Sequence, residues 1–281
     1  MDTQLTVGRG VALPARDEAF EAGTAPKRKR GGFLLSLALP LAILVLWELS
    51  TTLGYFKPHQ LPTPQATIQT AIDQAASGRL WAHVSTSLVR VFLGFFVGAT
   101  AAIVVAVVVG VSRTAERVVD PTIQALRMIP SLAWVPLLLL WMGIDEAPKI
   151  TLIAIGSFFP VYLSVVAGVR DVDRKLVELG MMYGLRGFAL AREIIVPASL
   201  PFVAVGLRTG LGQGWLFLVA AELIAASRGL GFMLTDGQSM SRVDIVVTAI
   251  VLLAFLGKTT DGVLKYAERR LLAWRDVYEG S

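Results

Sequence analysis

"ELGMMYGLRGFALAREIIVPASLP", Glu178–Pro201, lies between two long apolar blocks and carries Glu178, Arg186, Arg192 and Glu193, punctuated by Gly180, Gly184 and Gly187. Just upstream, Val172, Leu176, Leu179 and Tyr183 recur at i, i+4, i+7 and i+11, one apolar stripe along a short helix. Asp171 or Asp173 is placed to cap its start. Gly184 is placed to end it in a left-handed turn that a Cβ would obstruct. A second helix, "FALAREIIVP", then leads to Pro197 and Pro201. An ordinary solvated surface helix fits this pattern. So does a docking element, because an apolar stripe outside a core needs a cover.

The surrounding chain fixes the setting. Of its 281 residues 54% are hydrophobic and only 17% charged, against about a quarter charged in soluble domains. Its apolar runs are continuous rather than alternating, which favours helices over a barrel. The expected architecture is an all-α, polytopic membrane helical bundle of about six transmembrane helices. The spans are placed at 33–56, 88–111, 123–142, 150–169, 197–225 and 243–263. The first could be taken for a signal peptide, but its apolar run is too long and lacks a small-residue exit. Ile68, Ala71, Ile72, Ala75 and Ala76 have helical spacing, so a short interfacial helix is expected between the first two spans.

Residues 1–32 read as a disordered cytoplasmic tail, 33–275 as one transmembrane domain with a loop at about 170–196, and 276–281 as a C-terminal tail. Loop charge gives the orientation. Lys27–Arg30, Arg113, Arg117, Arg170, Arg174, Lys175, Arg186, Arg192, Lys265, Arg269, Arg270 and Arg275 fall on one side. Lys57, Arg79, Lys149, Arg228 and Arg242 fall on the other. Both termini and the quoted stretch are therefore expected in the cytoplasm, and the net charge of +5 reflects topology rather than nucleic-acid binding.

Several chemistries lack their residues. There are no cysteines and two histidines, His59 and His83, which are not at metal-ligand spacing. No Gly-x-x-x-x-Gly-Lys-Ser/Thr loop is present to hold ATP phosphates, and no H-E-x-x-H or G-x-S-x-G, so neither a cofactor nor an enzyme active site is expected. A secondary transporter is disfavoured by the absence of a visible internal repeat.

Polar residues in or near the spans are the other candidates: Glu48, Arg90, Arg127, Arg208, Gln213, Glu222 and Lys258. A charge at the centre of a span costs about 2.5–3.5 kcal/mol unless paired or solvated. Arg90 and Lys258 are expected to snorkel. Arg208, Gln213 and Glu222 are candidates to line a path, with a structural ion pair as the alternative for Arg208. Pro130, Pro136 and Pro160 are expected to kink or adjust spans three and four.

The quoted stretch resembles the cytoplasmic "EAA" loop of ABC-importer permeases: Glu-Ala-Ala, three residues, Gly, nine residues, Ile, one residue, Leu-Pro. Glu178, Gly184, Ile194 and Pro197 match, while Leu179, Gly180 and Val196 depart. "RMIPSLAWVPLLLLWMGIDEAPKI" (Arg127–Ile150) and "GWLFLVAAELIAASRGLGFML" (Gly214–Leu234) resemble the nitrate/taurine/aliphatic sulfonate branch, nearest the aliphatic sulfonate members. The resemblance implies a type I ABC-importer permease fold in a bacterial inner membrane. It implies a separate ATP-binding cassette subunit dimer, an extracytoplasmic substrate-binding protein and a second permease copy as partners within the lipid bilayer. In that scheme Glu178 pairs with a polar group of the ATPase groove, Leu179, Met182 and Tyr183 fill it, and Gly184 sets the turn.

Overall fold

The computed structural model describes residues 31–57 and 59–273, with side chains from Ala38 onward. Apart from Gly31 and Gly32, the expected N-terminal tail lies outside the described residues, as does the C-terminal one.

The elements are α1 (Gly31–Thr52), α2 (Pro64–Ala76), α3 (Arg79–Val111), α4 (Arg113–Arg127), a 3-10 turn (Ser131–Trp134), α5 (Val135–Met142), α6 (Glu146–Arg170) and α7 (Arg174–Met182). Then come α8 (Gly187–Leu190), a π segment (Ala191–Ile195), α9 (Val196–Ala225), α10 (Leu230–Ser239) and α11 (Val243–Leu271). Among the described residues, four stretches are long and apolar enough to cross a membrane: Arg79–Val111, Glu146–Arg170, Gly187–Ala225 and Val243–Leu271. The bent pair of Arg113–Arg127 and Ser131–Met142 makes a fifth if counted as one span. The expected first span appears as α1, Gly31–Thr52, whose apolar stretch Ala38–Thr52 is described with side chains.

The third span, expected over 123–142 with prolines that kink or adjust it, is broken into two helices. Hydropathy runs through it, but the helix breaks at Met128–Pro130 and its halves meet at 88°. Pro130 cannot donate to a preceding turn and disfavours helix in the residue before it. Pro136 sits harmlessly in the first turn of α5, and Pro160 lies inside α6 without interrupting it.

The core is α3, α6 and α9. Val91, Phe95, Ala102, Ile153, Val161, Val165 and Leu218 are almost wholly buried within it. The hydrophobic effect cannot drive helices together in lipid, so close packing must, and small residues permit it. At Gly94 a Cβ would lie 2.6 Å from Ile153 Cβ, and at Gly98 it would lie 2.9 Å from the carbonyl carbon of Ala154.

α2 forms where expected, with Thr63 capping Ala66 N–H at 3.2 Å. It docks through its polar side: the Thr70 hydroxyl donates to Asp244 at 2.7 Å, and Thr248 donates to the Thr67 carbonyl at 3.2 Å. Ile68 and Ile72 face outward. Hydrogen bonds worth more in apolar surroundings decide which side packs.

Candidate coupling helix and intramembrane polar network

α7 is built by its ends. Asp173 caps it, accepting from Lys175 N–H at 2.8 Å. At the other end Gly184, at φ +83°, donates to the Met181 carbonyl at 3.0 Å, and Leu185 donates to the Gly180 carbonyl at 3.0 Å. These two bonds form a Schellman closure, so the turn requires the glycine. Gly180 faces inward: a Cβ there would come within 2.7 Å of Leu190 and 3.0 Å of Ile194. This is why the departure from alanine fits, since α7 lies directly on α8 and the π segment.

The opposite side is open. Leu179 is half exposed, while Met182, Tyr183 and Phe188 are each more than 80% exposed. Glu178 is also exposed and accepts from Arg174 Nε at 2.8 Å, one turn back on the same helix. The structure thus brings Glu178, Leu179, Met182, Tyr183 and Gly184 together on one projecting element. It adds Phe188, which periodicity passed over because it follows the break at Gly187 (φ +54°). The second helix of the loop is continuous with the fifth span, which therefore starts ten residues before its expected boundary at 197. The π segment lies just before Pro197, where a missing N–H and a bulky ring disturb the regular ladder.

The expectation that Arg90 snorkels is overturned. Arg90 is 3% exposed and holds three elements: Nη1 donates to Glu222 at 2.8 Å and to the Arg228 carbonyl at 2.5 Å, and Nη2 donates to Glu146 at 2.6 Å. Glu222 in turn accepts from the Ser87 hydroxyl at 2.8 Å and from Gly231 N–H at 2.8 Å. Ser87 accepts from Leu230 N–H at 2.8 Å, and His83 Nδ1 accepts from Gly229 N–H at 3.1 Å. The free amides opening α10 are thereby satisfied by side chains of α3 and α9. Lys149, expected in a loop, is also buried, 3.2 Å from Glu146. These charges stay in the bundle because each is paired and hydrogen-bonded.

Arg208 pairs with Asp261 at 3.0 Å and Glu268 at 3.4 Å, tying α9 to α11. Of the three path candidates, Gln213 alone lies exposed, on the same face of α9 as Thr209, Gly212 and Leu216. Lys258 is exposed, and Glu48 accepts from Gln65 at 3.2 Å. Among the described residues no cluster of three or more His, Asp or Glu could hold a metal ion.

Residues 92–273 match the family described as binding-protein-dependent transport system inner membrane component. The chain belongs to this family. It is a permease subunit of an ABC importer, not an enzyme. The permease is 40% identical over 255 residues, 91% of its length and 92% of the relative's, to a Bacillus subtilis protein named for aliphatic sulfonates transport, SsuC. It is 36% identical over 245 residues to the taurine transport system permease protein TauC of Escherichia coli, covering 85% of the permease and 89% of that protein. Its fold matches a chain of the MetNI methionine ABC transporter with a TM-score of 0.61 at 20% identity, over 70% of the permease and 96% of that chain.

Proposed function

We propose that the permease carries a small organic anion, an aliphatic sulfonate, through the membrane. In this reading a separate ATPase dimer works α7, an extracytoplasmic protein delivers the anion, and a second permease copy completes the path. The N-terminus and α7 then lie in the cytoplasm. The observation that carries the substrate is the 40% identity to the sulfonate-named relative across 91% of the chain. The taurine-named relative, at 36%, supports the second reading, a taurine carrier.

The path reading rests on charge bookkeeping along α9. Arg208 and Glu222 are engaged by partners in the same chain, so they hold α9 in place rather than meet the anion. The exposed amide of Gln213 can donate to a sulfonate oxygen without the strong attraction that would trap it. In membrane vesicles holding the full transporter, a tenfold excess of an unsubstituted alkanesulfonate is expected to suppress labelled alkanesulfonate uptake at least fivefold more than equal taurine or nitrate. Equal suppression by taurine would favour the second reading.

Coupling rests on α7. Gly184→Pro removes the N–H that closes the helix end and the freedom to adopt φ +83°. Glu178→Lys reverses an exposed charge and sets it beside Arg174. Both variants are expected to insert and assemble normally while uptake per ATP hydrolysed falls tenfold or more. Normal uptake by both would remove α7 from the coupling role.

A further inference from the structure

The coupling helix is joined to the bundle at a second place, through the residue that ends α6. Only Asp171, Val172 and Asp173 separate Arg170 from α7. Arg170 Nη2 lies 2.9 Å from Glu116 Oε1 and 3.3 Å from Asp120 Oδ2, both on α4. The other oxygen of Asp120 accepts from the hydroxyl of Tyr162 at 2.6 Å, and the Tyr162 side chain is wholly buried in the core. Tyr162 stands about two turns behind Arg170 on α6, so α4 is gripped at two points on one face of that helix.

α4 is the half of the broken span that begins at Ser112, where the serine hydroxyl caps Ala115 N–H at 3.3 Å. Its far end is the 88° break. A stiff helix gripped near its middle and free to turn at a break acts as a lever. Apolar contacts let helices slide past one another, whereas an aromatic hydroxyl and a guanidinium sharing one carboxylate fix both direction and register.

We propose that Arg170 is a positioning residue: with Glu116, Asp120 and Tyr162 it forms a rigid strut carrying displacement of α7 into α4 and so to the bend at Met128–Pro130. This deepens the coupling role of α7 and rests on it. The strut stays closed throughout the transport cycle, and the bend takes up the movement.

The test uses the complete transporter, with its ATPase and binding protein, in proteoliposomes. Arg170→Gln, and separately the pair Glu116→Gln with Asp120→Asn, are expected to cut uptake at least tenfold while ATP hydrolysis stays within twofold of the native rate. The chain contains no cysteine, so Glu116→Cys with Arg170→Cys can be bridged by a short thiol-reactive crosslinker. The bridged transporter is expected to keep at least half the native uptake, because the strut never opens. Normal uptake by either uncrosslinked variant, or loss of uptake on bridging, would overturn the strut. Failure of both variants to assemble would overturn it as well, making the cluster a folding contact. If Gly184→Pro and Glu178→Lys uncouple transport but Arg170→Gln does not, the strut alone fails. If those two variants transport normally, the coupling role of α7 fails.

Discussion

Replacing Arg90 by Leu is expected to destabilise the permease by about 3–5 kcal/mol, the range for breaking one side of a buried ion pair. The leucine fills much of the same volume, so the loss does not come from a cavity. It comes from Glu222, about 1% exposed, which keeps its carboxylate beside Ser87 and Gly231 N–H but loses Arg90, its one cationic partner among the described residues. Glu146 loses the guanidinium too, but it keeps Lys149 at 3.2 Å and is half exposed, so water can replace what is lost there. The measurement is thermal unfolding of the detergent-solubilised transporter. Arg90→Leu combined with Glu222→Gln should recover much of the loss, because the amide is neutral and still accepts from Gly231 N–H. A single variant as stable as the native protein would show that the network contributes nothing.

Gly98→Leu is expected to cost about 3 kcal/mol or more, at or beyond the upper end of ordinary overpacking. The atoms a side chain would strike belong to the backbone of Ala154, so no rotamer change on α6 makes room. α3 and α6 would have to separate, and with them the contacts of Ile153 and Phe95. Gly257→Ala serves as the control, since nothing lies within 4 Å of its added Cβ. It should be neutral or stabilising by about 0.5–1 kcal/mol through helix propensity. If both glycine variants unfolded at the same temperature, close approach would not be what holds α3 against α6.

The features legible in the sequence were those encoded locally. The stripe over Val172–Tyr183 and the glycine at 184 suffice to place α7 and its closure, because capping and turn chemistry act over a few residues. Apolar run length suffices for α3, α6, α9 and α11. A disturbance at Pro130 was legible from the proline, but the 88° size of the bend was not, because hydropathy averages across it. The partners of Arg90 come from residues 146, 222 and 228, and no local pattern announces a contact across such separations. Arg90 therefore read as a snorkelling side chain and Lys149 as a loop charge. α2 was found by its isoleucines yet packs by its threonines, because its neighbour Asp244 offers an acceptor rather than an apolar surface.

The widened turn at Ala191–Ile195 bears on how such a protein can change over time. A π turn holds about one residue more than the α-helix would use for the same advance. Deleting one residue there would restore ordinary winding over the same advance and leave everything beyond it facing as before, whereas the same deletion in the regular helix that follows would swing the rest by about 100°. A deletion just beyond it, in the first turns of α9, would turn Arg208 away from Asp261, and α9 could no longer meet α3 and α11 together. The loss of one residue is therefore better tolerated in this short interval than in the regular turns that follow it.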